Sequence, residues 1–149
     1  MEYFDAHAHY DDIKFDEDRE KVLEDIYNFG VTKIVSAGYS LEGSKAGLEL
    51  SERYSFIYTT LGISPNDISA NWISDVNEIE NMLNDEKFNE KVVAVGEIGL
   101  DYHYDTDREV QKHIFIKQID LANKYNLPIV IHTRDAVMDT LNILKQHTS

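Results

Sequence analysis

Val92-Val93-Ala94-Val95-Gly96-Glu97-Ile98-Gly99-Leu100-Asp101 is the stretch on which the reading of the whole chain turns. Its first four residues are uninterruptedly apolar and mostly β-branched, as in a strand covered on both faces within a parallel sheet. Ile129-Val130-Ile131 repeats the pattern. Working outward, strands are expected at 3–9, 33–37, 56–62, 92–98 and 129–133, and helices at 16–29, 40–54, 74–83, 106–125 and 135–146. The first helical stretch carries Val22, Leu23, Ile26 and Phe29 on one side, with acids in its first turn and Gly30 just past its end. Ser40 and Ser74 stand as N-caps of the second and third. The fourth sets Val110, Ile114, Phe115, Leu121 and Ala122 near one face and should stop before Pro128. The fifth should turn Val137, Leu141 and Leu144 inward.

Five β-α units in one domain, residues 1–149, specify an α/β fold with a parallel sheet and right-handed crossovers. Two architectures fit. One is an incomplete (β/α)8 TIM barrel of about five units; the other is a five-stranded doubly wound parallel sheet. In both, active groups gather at the C-terminal ends of the strands.

Composition narrows the chemistry. The chain has no cysteine, which excludes disulfides, thiolate metal sites and cysteine nucleophiles. No apolar run approaches transmembrane length and Met1 leads almost directly into the first strand, so no membrane association and a cytoplasmic location are expected. The net charge is −14, and residues 1–30 hold ten acids against three bases. Such a surface attracts cations and repels a phosphate backbone, so a nucleic-acid substrate would need bound metal and a local basic patch. There is no Gly-rich phosphate loop and no Gly-x-Ser-x-Gly.

The strand-end rule then picks out side chains. His7 and His9 close the first strand, and residues i and i+2 of a strand share a face. Two imidazoles there can converge on one metal ion. Glu97 closes the apolar run quoted above, where a buried carboxylate is costly unless paired or metal-bound. Its two oxygens could bridge two cations. His132 closes the fifth strand. A His-x-His alone arises by chance in roughly one such sequence in five, so the coincidence of four ligand types at three strand ends matters more than the pair. Asp5 shares parity with the histidines and is a candidate to accept a ring proton from one of them, or else to bond nearby backbone. Asp11 and Asp101 lie in β-α loops, where they could orient water or substrate or simply cap turns. Arg134 could grip a phosphate or pair with Asp135. Tyr102 and Tyr104 flank His103; stacking on a base is open to them, and packing is the simpler expectation.

Asp5-Ala6-His7-Ala8-His9-Tyr10-Asp11, Gly96-Glu97-Ile98-Gly99-Leu100-Asp101-Tyr102, the stretch from Gln111 to Leu121, and Leu127-Pro128-Ile129-Val130-Ile131-His132-Thr133-Arg134-Asp135-Ala136 together resemble the TatD family of metal-dependent hydrolases. The resemblance implies a (β/α)8 barrel with two divalent ions (zinc, magnesium or manganese) at its mouth. It implies that His7 and His9 bind one ion, that Glu97 bridges both, that His132 binds the second, and that Asp101 acts beside them. The implied activity is metal-dependent phosphodiester hydrolysis, typically of DNA, with Arg134 and Ser64 as candidates for substrate binding. Gly62-Ile63-Ser64-Pro65-Asn66 stands where the family usually has Gly-Ile/Val-His-Pro-His, so handling of substrate at that loop is expected to differ. The resemblance covers five of eight barrel units, and the family's later ligands have no counterpart. The 149 residues are therefore expected to hold one ion or none, to be weakly active or inactive, and to self-associate through exposed sheet edges. Two alternatives stand beside this expectation. One is a related metallohydrolase acting on a small amide, lactone or phosphoester; the other is a non-catalytic assembly module.

Overall fold

The computed structural model describes residues 1–148. Five strands, β1 (Tyr3–Ala8), β2 (Val31–Ser36), β3 (Ile57–Leu61), β4 (Val92–Asp101) and β5 (Ile129–Arg134), alternate with five helices. These are α1 (Arg19–Asn28), α2 (Leu41–Arg53), α3 (Trp72–Leu83), α4 (Arg108–Tyr125) and α5 (Val137–His147). Short 3-10 turns at Ile13–Phe15 and Glu86–Phe88 complete the pattern. Every strand pair is parallel, and the spatial order β1-β2-β3-β4-β5 is the chain order.

That order rules out the doubly wound alternative, which needs a point where the strand order reverses. Successive helices pack on one another, α2 on α3, α3 on α4 and α4 on α5, as they do in a single row outside a barrel. The sheet is also strongly curled. Strands β1 and β4 are three spacings apart, about 14 Å if the sheet were flat. Yet His7 Nε2 on β1 lies 3.3 Å from Glu97 Oε2 on β4. Only a sheet rolled into a half-barrel brings these ends together.

The core lies between the sheet and the helices. Leu61, Ile63, Ile79, Val95, Ile98, Leu100, Phe115 and Ile119 form its larger part, and Leu23, Ile34, Leu50 and Ile57 a smaller one under α1 and α2. β4 has eight of ten positions buried and the other two, Val93 and Glu97, partly so, as its apolar run required, and it extends three residues past the expected end to Asp101. Ser40 caps α2, its side chain accepting the Gly43 N–H. Asn126 ends α4 in the left-handed conformation two residues before Pro128.

Several boundaries and faces differ from expectation. α1 begins at Arg19 because residues 13–15 take a 3-10 turn, with Asp12 accepting the Lys14 N–H. Phe29 follows the last helical residue as its C-cap, off the helix face, and is 85% exposed. α3 starts at Trp72, two residues before Ser74, with Asn71 at the cap position. On α5 the inward residues are Thr140 and Ile143, while Val137 and Leu141 are exposed and Leu144 half-buried. Apolar residues occur all round α5, so periodicity could not choose its face. A hydroxyl pair helps to set it, with Thr133 Oγ1 and Thr140 Oγ1 at 3.0 Å.

α5 is further tied down by Asp139, whose Oδ2 accepts from the Tyr102 hydroxyl at 2.6 Å and from Lys112 Nζ at 3.1 Å. The Tyr102 hydrogen bond and then Lys112 hold the Asp139 carboxyl below the usual carboxylate range. A lowered folded-state pKa contributes stability that is present above the unfolded value, about 3.9, and is lost as pH falls through the folded one. Asp139→Asn should therefore lower the urea midpoint at pH 7, and the gap to the native chain should close below about pH 4. A gap of equal size at both pH values would contradict this.

Candidate metal centre

The C-terminal ends of β1, β4 and β5 meet inside the curl. His7 is the next-to-last residue of β1 and His9 follows the strand, with their rings edge to face at 5.1 Å. Tyr39, from the turn after β2, meets His9 edge-on at 5.2 Å. Glu97 projects from β4 into this group and is only 16% exposed. Its Oε2 faces His7 Nε2, and its Oε1 lies 3.1 Å from His132 Nδ1. A cis peptide joins Gly96 to Glu97, and the Glu97 amide donates to the Gly38 carbonyl.

One nitrogen or oxygen from each of His7, His9 and Glu97 lies within 4.8 Å of the others. That is the spread of donors around a single divalent ion whose bonds are each about 2.0–2.2 Å. His9 Nδ1 is buried with no hydrogen-bond partner. A buried nitrogen without a partner beside a carboxylate and a second imidazole fits a cation. His132 stands on the opposite side of Glu97, outside that three-residue group. Imidazoles thus stand on both sides of one glutamate.

The His132 ring is oriented from behind. Its Nε2 lies 2.9 Å from Asp101 Oδ2, so donation to Asp101 leaves Nδ1 free toward Glu97. Asp101 is fully buried. Its Oδ2 also accepts from Asn66 Nδ2 at 3.0 Å, and its Oδ1 accepts the His103 N–H at 3.0 Å. Burial opposes its ionisation most strongly, but the bonds from Asn66, His132 and His103 together hold the carboxyl below its usual range. Both oxygens are therefore occupied in orienting neighbours.

Other expected residues fall as follows. Asp5 turns to a backbone amide and a tyrosine instead of a histidine ring, its Oδ1 accepting the His7 N–H at 3.3 Å and its Oδ2 the Tyr10 hydroxyl at 3.4 Å. Ser64 is buried, with its Oγ accepting the Asn66 N–H at 3.2 Å. Arg134 is exposed at the end of β5, next to Tyr104. Asp11 lies beside His9, its Oδ1 buried and unpartnered, and burial pushes its carboxyl upward. Asp67, which sequence reasoning missed, is likewise raised by burial, and Ser64, Glu97 and His9 all act on it.

Also missed were the residues that hold the loops in place. Gln111 brackets Asp101, accepting its N–H at 2.8 Å and donating to its carbonyl at 2.8 Å. Gln118, two turns along α4, does the same to Ile63 at 2.7 and 3.0 Å. One helix thus clamps the ends of β3 and β4 by imitating a strand's pairing. Two fully buried glutamines seven residues apart on an otherwise apolar face were the available signal. Gly99 makes the other close approach. It has φ +147°, and a Cβ there would stand 1.9 Å from the His132 carbonyl oxygen.

The structure is thus a rolled parallel sheet of the barrel type with imidazole and carboxylate groups converging at its C-terminal rim. The family model for TatD related DNase matches residues 4–149, and the chain belongs to that family. It is 40% identical over 144 residues to the uncharacterized metal-dependent hydrolase YabD of Bacillus subtilis, covering 96% of this chain and 55% of the relative. It is 33% identical over 135 residues to the 3'-5' ssDNA/RNA exonuclease TatD of Cronobacter sakazakii, covering 89% of this chain and 49% of that protein. The crystal structure of YjjV, a TatD homolog from Escherichia coli K12, superposes with a TM-score of 0.88 at 33% identity, over 97% of this chain and 56% of that one. The fold is therefore the barrel type, present here as five parallel strands in a curled half-barrel. The chain spans about half the length of the relatives it matches.

Gln111→Ala would leave the Asp101 amide and carbonyl buried and unpaired. It should cost at least about 2 kcal/mol of stability, read as a lowered urea midpoint at neutral pH. An unchanged midpoint would show that the clamp is dispensable.

Proposed function

We propose that this chain carries the metal-binding wall of a metal-dependent phosphodiesterase that acts on DNA. The observation that carries the reading is Glu97, held between His7 and His132 with His9 in reach. His7, His9 and Glu97 would hold one divalent ion, and Glu97 and His132 the other. Ions bound there supply Lewis acidity to a phosphoryl oxygen and lower the pKa of a bound water. The chain's own residues do the rest. Glu97 offers one oxygen to each side, and Asp101 fixes the His132 ring so that Nδ1 faces Glu97. The β3 and β4 loops are immobilised by Gln118 and Gln111. No side chain need serve as nucleophile.

DNA as substrate is supported by the family and by the nuclease names of relatives such as the Cronobacter exonuclease. The net charge of −14 works against a polyanion, which makes bound cations and Arg134 the means of holding it. Ser64 is placed to shape the β3 loop next to the substrate. Three protein ligands suffice for a catalytic ion and two do not, so the 149 residues alone should hold the first ion better than the second and turn over slowly. The outer strands expose Tyr3, Phe4 and Ile131, and pairing of these edges with further polypeptide, including a second copy, belongs to the same proposal. Among the described residues no helix is long and apolar enough to cross a membrane.

The test compares the native chain with Glu97→Gln on a labelled single-stranded oligodeoxynucleotide and on a small phosphodiester, with magnesium, manganese or zinc added. Cleavage of DNA by the native chain should require the metal and fall more than about a hundredfold in the variant. Equal activity in the two proteins would refute the Glu97 assignment. Cleavage of the small ester alone would refute DNA as substrate.

A further inference from the structure

β5 delivers a second group to the rim beyond His132. Arg134 lies two residues past His132 and so on the same side of the strand. Its register partner is Asp101, which brings the turn of residues 102–104 alongside it. The two tyrosines of that turn differ. Tyr102 is engaged, with its hydroxyl on Asp139 and the Arg108 guanidinium 4.3 Å above its ring. Tyr104 is 54% exposed. The Arg134 guanidinium carbon sits 5.5 Å from the Tyr104 ring centroid, with Nη1 3.5 Å from its hydroxyl. The His103 ring meets Tyr104 edge-on at 5.0 Å.

The charges around Arg134 are unusual for this chain. Acids outnumber bases two to one, yet among the described residues no carboxylate forms an ion pair with Arg134. Its sequence neighbour Asp135 faces His103 instead, at 3.5 Å. An exposed aromatic ring beside an unpaired guanidinium, one step outward from the metal ligands, matches two features of a nucleotide. Every base has a π-face to stack, and its phosphate suits a guanidinium fork.

We propose that Tyr104 and Arg134 form a nucleotide subsite. Tyr104 stacks the base next to the scissile phosphodiester, and Arg134 holds that nucleotide's phosphate. The base must be unpaired to present a free face, so the subsite selects single-stranded nucleic acid or a frayed end. This rests on the phosphodiesterase reading above and deepens it. A rim site that recognised only phosphate would have no use for the ring.

The test is fluorescence anisotropy at low salt with calcium present, using labelled hexathymidylate and an abasic oligodeoxynucleotide of equal length. Tyr104→Ala should weaken binding of hexathymidylate about tenfold, the loss of one stacked base, and leave the abasic oligomer unchanged. Tyr104→Phe should bind like the native chain. Arg134→Ala should weaken both oligomers and reduce the slope of log affinity against log salt by about 0.7. If Tyr104→Ala binds both oligomers like the native chain, or the native chain binds neither, the subsite is wrong. Metal-dependent cleavage of DNA by the native chain in that event would leave the phosphodiesterase reading standing, and its absence would remove both.

Discussion

Glu97 lies within a strand whose other residues are almost all apolar and buried, and a carboxylate in that position has to be compensated. Compensation comes from His7 on one side and His132 on the other. The His132 contact crosses one strand pair. The contact with His7 crosses three, and it exists only because the sheet is rolled. The curl of the half-barrel and the chemistry of its rim are therefore one constraint seen at two scales. Parallel pairing puts all strand ends on one rim, curvature turns that rim inward, and the imidazoles and carboxylate of β1, β4 and β5 meet although the three strands are far apart in sequence.

Behind these side chains lies a layer of polar groups, all neutral except Asp101, that fixes their geometry. Asn66 and His103 bind Asp101, Asp101 binds His132, and Gln111 and Gln118 hold the strand ends from α4. A carboxamide satisfies a buried backbone N–H and C=O at the same time, which no hydrocarbon could do and no ion could do cheaply. This allows a chain of net charge −14 to gather acids around one centre. Asp11 and Asp67 respond by holding their protons more tightly through burial, while Asp101 is kept ionised by its donors.

Much of this was legible in the residues. The β-branched runs of β4 and β5 marked a parallel sheet, and the rule that function gathers at strand ends singled out His7, His9, Glu97 and His132. What was not legible depends on tertiary approach. Open sheet and rolled sheet share one periodicity, so the curl had to come from strand order and from the His7–Glu97 contact. The inward face of α5 was misread because its apolar residues surround the helix and the Thr133–Thr140 contact lies outside any periodic pattern. Asp5 shared the parity of His7 and His9, yet its donors were a backbone amide and the Tyr10 hydroxyl. Gln111 and Gln118 were visible as polar residues on an apolar face, but their partners are backbone groups that sequence does not reveal.

The most direct measurement is an anomalous-scattering map from crystals of the protein grown with manganese or zinc. A peak lying among the His7 imidazole, the His9 imidazole and the Glu97 carboxylate is the predicted result, with any second, weaker peak between Glu97 and His132. Crystals that bind the ion elsewhere, or show no peak at Glu97, would contradict the assignment of this rim as a metal centre.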